Sequence, residues 1–591
     1  MSPHDDPLRP AVRGALFACA LLFVALGAWN SLGRVAFFID DAYISLRYAW
    51  NLAFHGELTF NLGERVEGFS NPTFTLALAP LLWLGVNGRD AAQALGLACQ
   101  LLTIVSAVWL SAELARPRSV AGALVVGASG ALVAVSLPLA FWATGGLETP
   151  MVCMFLVASL AAALAERRDP GRLPVSALLA GLFAISRPET PLLAFGVVIG
   201  RAIDGIRARD GRGLLRWGAV FAVPTLGYLV FRLTYYGDIF PNTYYVKGGQ
   251  ASLDEVKRYV LPWAMLEPLI AAGGLLGLAA LAWARRLASL PLLWAALAGA
   301  LFVMRVGGDY MPNARYLAPV LPLLAVGAAS GAALLVERAG GWRAAGLAAL
   351  WLGLVSAQGY ASVPVSQFKL TDTGALQTRA RSEKEWLPQS LEVSPMPGGV
   401  TMYLLQSVPP GAKLAHSTLG ASGYLGDWVM LDLIGLTSRE LSGATGLNTR
   451  EQLAYIREQT VDWIVVRALN IGRFKKLRQE AWLKRYELWG LGDDVFAGRR
   501  KSSARITDEQ ILQNLSTACD RLPKSRIVCK TWADWALAVG DEAEQERACA
   551  SLENTDATQR AVDGCRARMG KSNPRPKVEA ERLTEVPEMN L

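Results

Sequence analysis

Residues 34–71 read RVAFFIDDAYISLRYAWNLAFHGELTFNLGERVEGFSN, and the organisation of the chain can be worked outward from this stretch. One apolar block, 14–33, precedes it, and apolar blocks follow it one after another to about residue 361. Within it an apolar Phe37-Phe38-Ile39 meets Asp40-Asp41 with no spacer. An aromatic-rich helical pattern then runs from about Ala42 to Phe54 and ends at His55-Gly56. The paired carboxylates thus stand at a helix N-terminus, directly against a membrane surface. Asp is a favoured N-cap, and the helix dipole stabilises negative charge there, which accounts for one of the two. Adjacent helical positions point about 100° apart, so one Asp can cap while the other faces a pocket. The residues alone do not say which does which.

The blocks are about 20 residues long, the length a helix needs to cross about 30 Å of hydrocarbon. They dominate a chain of 591 residues that is 52% hydrophobic and 18% charged. The expected spans are 14–33, 72–86, 91–113, 119–141, 147–165, 174–200, 217–236, 262–284, 287–306, 317–337 and 342–361, with 174–200 readable as two short helices. The first is read as an uncleaved anchor, since no small-x-small cleavage site follows it. The count is about 11–13, because the short block 72–86 and the Gly-rich block 119–141 leave the local parity open.

The net charge of +8 reads as basic cytoplasmic loops. No Lys/Arg-rich tract or zinc-finger spacing points to nucleic acid. The short basic loops 166–172, 201–216, 285–286 and 337–343 belong inside. Loops at about 145–149, 237–259 and 307–315, and everything after about 360, then fall outside. Cysteine usage agrees: Cys19, Cys99 and Cys153 sit in apolar blocks, whereas Cys519, Cys529, Cys549 and Cys565 sit in the tail and suggest two disulfides in an oxidising compartment. Three pairings are open, and the spacing fits no zinc site.

The stretch 173–200 has basic loops at both ends and Ser186-Arg187-Pro188-Glu189 at its centre. Charge inside a membrane segment is costly and usually faces water or a partner. Two readings follow: a hairpin with Arg187 and Glu189 paired internally, or a hairpin tip at the floor of an outward-facing pocket.

Residues 362–505 mix short apolar runs with turns, and Trp463-Ile464-Val465-Val466-Arg467 reads as a buried strand, so an α/β domain is expected. From Thr507 the pattern is helical, with Ile511, Leu515 and Cys519 on one face, so 506–571 is expected to be a helical, disulfide-linked region. Residues 572–591 are polar and Pro-rich and are expected to be disordered. His416 reads as structural, and the tail could bind an acceptor.

Six phrases in order resemble a known family: FFIDDAYISLRYAWNLAFHGELTFNLGERVEGFSNP (37–72), ATGGLETPM (143–151), SRPE (186–189), YYGDIFPNTYYVKG (235–248), GGDYMPNARYLAPVLPLL (307–324) and GASGYLGDWVMLDLIGLT (420–437). The chain resembles GT-C membrane glycosyltransferases, in the branch of the mycobacterial terminal arabinofuranosyltransferases and pilin-arabinosylating enzymes. The final 90 or so residues carry no part of the resemblance. It implies a polytopic α-helical membrane protein with a catalytic domain over 1–361 and a C-terminal periplasmic α/β plus helical domain, in a bacterial inner membrane. It further implies an inverting transfer of a sugar, arabinofuranose at branch level, from a polyprenyl-phosphate donor to a periplasmic glycan, lipid or pilin-like acceptor.

In such enzymes a carboxylate at the start of the first outer loop is the general base, or helps to hold a metal, which places that role on Asp40 or Asp41 and leaves a divalent cation open. The departing phosphate calls for fixed positive charge. Lys247 and Arg315 at membrane boundaries are the first choices and Arg187 the third, with interfacial snorkelling as the alternative for each. Arg47, Tyr43, Glu67, Glu148, Asn242 and Asp309 are the remaining pocket candidates, with Arg65 and Asp238 in the same loops. A transporter or flippase would want charges spread along its spans and internal repeats, which the chain lacks. An O-antigen-ligase-type enzyme would rest on Arg and His in a late outer loop, the opposite of this layout.

Overall fold

The computed structural model describes residues 9–168, 173–246, 251–309, 311–370, 376–380, 399–442, 444–445, 447–467, 481–491, 495–555, 557, 559–578 and 581–583. The membrane part comprises α1 (Pro10–Leu32), α2 (Asp41–His55), α3 (Pro72–Trp83), α4 (Gly88–Ala115), α5 (Val120–Val135), α6 (Leu137–Trp142), α7 (Thr149–Ala165), α8 (Val175–Ala184), α9 (Thr190–Ala208), α10 (Gly211–Tyr235), α11 (Asn242–Val246), α12 (Leu253–Leu266), α13 (Pro268–Ala284), α14 (Arg286–Val306), α15 (Leu321–Ala339) and α16 (Gly341–Ser362). Pro stands at the first turn of α1, α3, α6, α7, α9, α13 and α15, where its missing N–H is not needed and its fixed φ suits the helix. Among the described residues seven helices are long and apolar enough to cross a membrane, and the pair α12–α13, bent by 97°, adds an eighth.

Hydrogen bonds sort the helix ends between two faces. On the face that carries the C-terminal domain, Asn87 at the start of α4 donates to the Arg521 carbonyl at 2.9 Å, and Gln93 donates to the Val35 and Thr144 carbonyls at 2.8 and 3.0 Å. On the opposite face Glu337 of α15 accepts from Ser119 Oγ at 2.8 Å, and Arg167 pairs with Asp204 at 2.6 Å. The helix α3 starts at Asn71, which donates to Glu148 at 2.9 Å, and finishes just before Asn87. Both its ends therefore lie on the domain face, and with 12 residues it is about 18 Å long. The expected span at 72–86 is thus not a crossing. By length and composition α1, α4, α7, α10, α14, α15, α16 and the pair α12–α13 qualify as crossings, whereas α3, α5 and α8 are shorter apolar helices. The basic loops gather on the face away from the C-terminal domain, as a cytoplasmic face would have them.

The stretch 173–200 is two helices, α8 and α9, whose tip reaches the domain face. The helix α12 lies along that face, opened by a Ser252/Glu255 capping box, before Pro268 starts the next helix across the membrane.

Beyond α16 come a hairpin of β1 (Val365–Leu370) and β2 (Leu376–Ala380), and a six-stranded sheet ordered β4-β3-β5-β7-β6-β8. Its strands are β3 (Lys413–His416), β4 (Val429–Asp432), β5 (Trp463–Arg467), β6 (Tyr486–Gly490), β7 (Val495–Arg500) and β8 (Glu581–Leu583). The three strands β4, β3 and β5 are mutually parallel, and β7, β6 and β8 continue the sheet antiparallel. The WIVVR run is β5, buried in the middle of the sheet as a continuous β-branched run should be. The helices α17 (Val400–Ser407), α18 (Gly420–Leu425) and α19 (Thr449–Glu458) accompany the parallel strands. Four more, α20 (Asp508–Arg521), α21 (Arg526–Val539), α22 (Glu542–Ser551) and α23 (Gln559–Arg566), come between β7 and β8. They are tied by Cys519–Cys529 and Cys549–Cys565. The helical region is therefore an insertion within one sheet domain. Residues 581–583, expected to be disordered, instead close that sheet through Leu583 opposite Leu488.

Candidate active site

The Asp pair begins α2, a helix stopped by Gly56 in the left-handed region (φ 71°), where Gly carries no Cβ penalty. From Ala42 to Ala49 every residue of α2 is buried, because the C-terminal domain sits on it. The Asp40 carboxylate makes no side-chain cap on its own helix. It accepts the backbone N–H of Gly420 at 3.1 Å and of Ala421 at 2.7 Å, so it caps α18 of the C-terminal domain instead. Asp41, half-buried, occupies the first turn of α2.

One turn beyond Asp41 on the same helix face is Ser45, whose hydroxyl donates to Asn71 Oδ1 at 3.1 Å. The amide of Asn71 donates to Glu148 Oε2 at 2.9 Å. Glu148, at the start of α7, pairs through its other oxygen with Arg187 at the α8–α9 tip, and Arg187 also holds Glu189. The internal Arg187–Glu189 pair of the first reading exists, and the same guanidinium also reaches across to Glu148. Arg187 lies over the Tyr316 ring at 5.2 Å and Arg315 lies over the same ring at 5.1 Å. Arg315 pairs with Asp309 at 2.8 Å and faces Trp142 at 5.8 Å. Tyr259 of α12 closes this end, donating to Asp309 at 3.2 Å and accepting the Tyr316 N–H at 2.8 Å. Arg315 is preceded by Asn313 and Ala314, both in the left-handed region at φ 57° and 48°. Non-Gly residues held there are strained, and such strain collects at functional sites.

The structure therefore joins Ser45, Asn71, Glu148, Arg187, Arg315 and Asp309 along one path, one helical turn from Asp41. Other candidates serve elsewhere. Arg47 donates to the Phe60 carbonyl at 3.2 Å and lies 4.0 Å from Asp427; burial lowers its pKa to about 10, so it stays charged at neutral pH. Tyr43 packs between Phe38 and Tyr424, at 5.1 and 5.7 Å. Glu67 pairs with Arg232 at 2.6 Å and accepts from Tyr228 at 2.7 Å, while burial pushes its carboxyl above the ordinary range. Asn242 donates to the carbonyls of Gly435 and Leu436 at 2.7 and 3.0 Å. Lys247 falls outside the described residues.

These contacts make a close seam between the first loop and the C-terminal domain. Asn61 bonds the Met430 carbonyl and N–H at 2.7 and 3.0 Å. Asp432, buried at the end of β4, holds the turn that Asn242 grips by accepting from Ile434 and Thr437 N–H, each at 2.8 Å. Glycine is needed where the two sides meet: a Cβ on Gly68 would come within 2.6 Å of Thr437, and one on Gly423 within 2.5 Å of Phe60. Sequence reading missed Asn71, Ser45, Tyr259, Tyr316, Arg232 and the Gly420–Ala421 amides. The phrase GASGYLGD carried a signal, but nothing in it says which carboxylate it meets.

Among the described residues no group of three or more His, Cys, Asp or Glu side chains could hold a metal. Asp40, the candidate ligand beside Asp41, is engaged by two amides.

Fold and site together define a polytopic helical membrane protein with a cluster of paired charged side chains on the face that carries the C-terminal domain. Its sequence is 29% identical over 387 residues to the terminal beta-(1->2)-arabinofuranosyltransferase of Mycobacterium tuberculosis (strain ATCC 25618 / H37Rv), a match covering 58% of this chain and 61% of that one. The resemblance read from the loop motifs accordingly recurs in a whole-sequence relative, of which the chain spans about three fifths. Residues 389–510 match a domain of unknown function, DUF8728. Similar solved structures include ArnT from Cupriavidus metallidurans bound to undecaprenyl phosphate (TM-score 0.49, 13% identity, 81% of this chain and 97% of that one). Another is the arabinofuranosyltransferase AftD from Mycobacteria (TM-score 0.43, 17% identity, 77% of this chain and 35% of that one).

Proposed function

We propose that this chain is an inverting glycosyltransferase that moves a sugar, arabinofuranose first among candidates, from a polyprenyl-phosphate carrier to an acceptor hydroxyl on the face of the C-terminal domain, the periplasmic face of a bacterial inner membrane. One observation carries this reading: the buried Arg187–Arg315 pair is linked through Glu148, Asn71 and Ser45 to the helix that starts at Asp41. The acceptor is a glycan, lipid or pilin-like protein hydroxyl. The relative's name supports the sugar.

Asp41 is the base. It takes the proton from the acceptor hydroxyl as that oxygen forms a bond to the anomeric carbon. The bond from that carbon to the phosphate oxygen breaks on the opposite side, its electron pair leaves with polyprenyl phosphate, and the configuration inverts. General-base assistance of this kind contributes about 10²–10⁴ in rate. Arg187 and Arg315 receive the departing phosphate, to which their planar forks are suited. The carboxylates Glu189 and Asp309 hold those forks in place. Asp40 keeps α18 on α2 and takes no proton. Asp41 carries the base role because both Asp40 oxygens accept backbone N–H groups.

The test is transfer by detergent-purified protein from a panel of polyprenyl-phosphoryl sugars to envelope glycan, lipid and pilin peptide acceptors. Asp41→Asn should lose transfer by about 10²–10⁴ while remaining folded. Asp40→Asn should retain measurable turnover and lose stability instead. Full activity in Asp41→Asn would remove the base assignment. No transfer from any donor, together with lipid movement across vesicles, would favour a transporter.

A further inference from the structure

The turn at residues 143–148, between α6 and α7, lies between the two ends of the proposed reaction. At one end its Gly145 carbonyl accepts the Ile39 N–H at 3.1 Å, next to the Asp pair. Gly146 has φ 89°, and a Cβ there would come within 2.9 Å of Ala42, the residue after Asp41. At the other end Glu148 pairs with Arg187. In an in-line displacement the anomeric carbon lies between the attacking oxygen and the departing phosphate oxygen. A sugar held between Asp41 and the arginines must therefore pass over this turn.

The turn and its flanks carry polar atoms that the protein leaves unused. Trp142 Nε1, Thr144 Oγ1 and Thr149 Oγ1 are buried and have no hydrogen-bond partner among the described residues. So is Asn313 Oδ1, two positions before Arg315, although its amide nitrogen donates to the Ser366 carbonyl at 2.9 Å. Exposure of these residues is 0%, 1%, 4% and 2% respectively. A buried polar group without a partner is destabilising by about 1–3 kcal/mol; of these four, Trp142 faces Arg315 at 5.8 Å, Thr144 and Thr149 lie on the turn and the start of α7 beside Glu148, and Asn313 stands two positions before Arg315. Indole N–H can only donate, a carboxamide oxygen can only accept, and a threonine hydroxyl can do either. A set of this kind matches hydroxyl groups, which donate and accept. The Asn313 oxygen does not suit a phosphate, which only accepts, and no member of the set suits a polyprenyl chain, which does neither.

We infer that Trp142, Thr144, Thr149 and Asn313 form the subsite that reads the hydroxyls of the donor's sugar ring, a specificity site built on the turn between the base and the phosphate arginines. This rests on the glycosyltransferase reading above. The substrate class is a polyhydroxylated furanose or pyranose attached through its anomeric carbon to a lipid phosphate.

The experiment uses the full chain in detergent and three variants of near-equal shape: Trp142→Phe, Thr144→Val and Thr149→Val. Two ligands are compared, a short-chain polyprenyl phosphate and the same lipid phosphate carrying the sugar that wild type transfers. Each variant should bind the bare lipid phosphate as wild type does and bind the sugar-bearing donor about tenfold less tightly, the equivalent of one lost hydrogen bond. Preference between that donor and its epimers should narrow, and unfolding midpoints should not fall. Lower midpoints with unchanged donor preference would mean that these atoms serve internal packing or buried water, and the subsite would be withdrawn. Wild type transferring no sugar at all would defeat the glycosyltransferase reading itself, an outcome separable from wild-type-like variants of an active enzyme.

Discussion

Gly420→Ala is the substitution that tests most directly how the C-terminal domain and the Asp pair depend on each other. Gly420 opens α18 with an ordinary negative φ, so Ala is compatible with the backbone and, by propensity alone, should favour the helix by about 1 kcal/mol. The added methyl would nevertheless overlap the Asp40 carboxylate. Relief requires moving α18 off α2, and with it the two N–H bonds to Asp40, at 3.1 and 2.7 Å. Bonds to a charged acceptor contribute about 1.5–3 kcal/mol each, so losing both outweighs the helix gain by about 2–5 kcal/mol. The unfolding midpoint should then fall by about 5 °C or more, at 2–4 °C per kcal/mol for a unit of this size. The assay is thermal unfolding of the full chain, with limited proteolysis to follow release of the domain. The control is a double-mutant cycle with Asp40→Ala, which removes the carboxylate but leaves the Asp40 carbonyl 2.2 Å from the added methyl, so Gly420→Ala should cost less in the Asp40→Ala background than in wild type. A Gly420→Ala protein as stable as wild type, or additive effects in the cycle, would refute the claim that Asp40 anchors α18.

Arg187→Ala should destabilise by about 3–5 kcal/mol, because it leaves Glu148 buried without its cation, whereas Glu148→Gln with Arg187→Gln together should recover much of the loss in a thermal-unfolding cycle. Asp309→Asn should tighten binding of bare polyprenyl phosphate several-fold by removing the carboxylate that competes for Arg315, as read by ligand-induced thermal shift. His416 is buried with its pKa lowered from 6.5 to about 3, so the unfolded chain binds the extra proton between those values. Stability of the C-terminal domain should therefore decline as pH falls from about 6.5 toward 3, and His416→Gln should flatten that slope. A cysteine placed at Gly85, in the exposed turn after α3, should react with a membrane-impermeant maleimide from the same side as one placed in the C-terminal domain; labelling from the opposite side would restore a crossing at 72–86.

Much of the architecture was legible in the sequence because membrane crossing is a local property. Length, apolar content and flanking charge determined most spans, the basic face, the α8–α9 tip with its charged centre, and the soluble tail with four cysteines. The helix after Asp41 and its stop at Gly56 were likewise local matters of capping and left-handed glycine. The block 72–86 misled because hydropathy cannot tell a short crossing helix from one whose two ends bond to the same face; that follows from Asn71 meeting Glu148 and Asn87 meeting Arg521. The polar tail at 581–583 misled because an edge strand draws on backbone hydrogen bonds, which composition does not report.

What only the tertiary structure decided was partnership across long separations. From sequence the two adjacent carboxylates have equal standing; the fold sets the amides of Gly420 and Ala421, some 380 residues away, on Asp40. It also turns Arg187 and Arg315 toward one tyrosine, and it engages Arg47, Tyr43 and Asn242 in the seam. The physical reason is that a charged or polar residue is specified locally only in its exposure. Its partner is set by which helix ends the packing of spans and domain brings within about 3 Å of it.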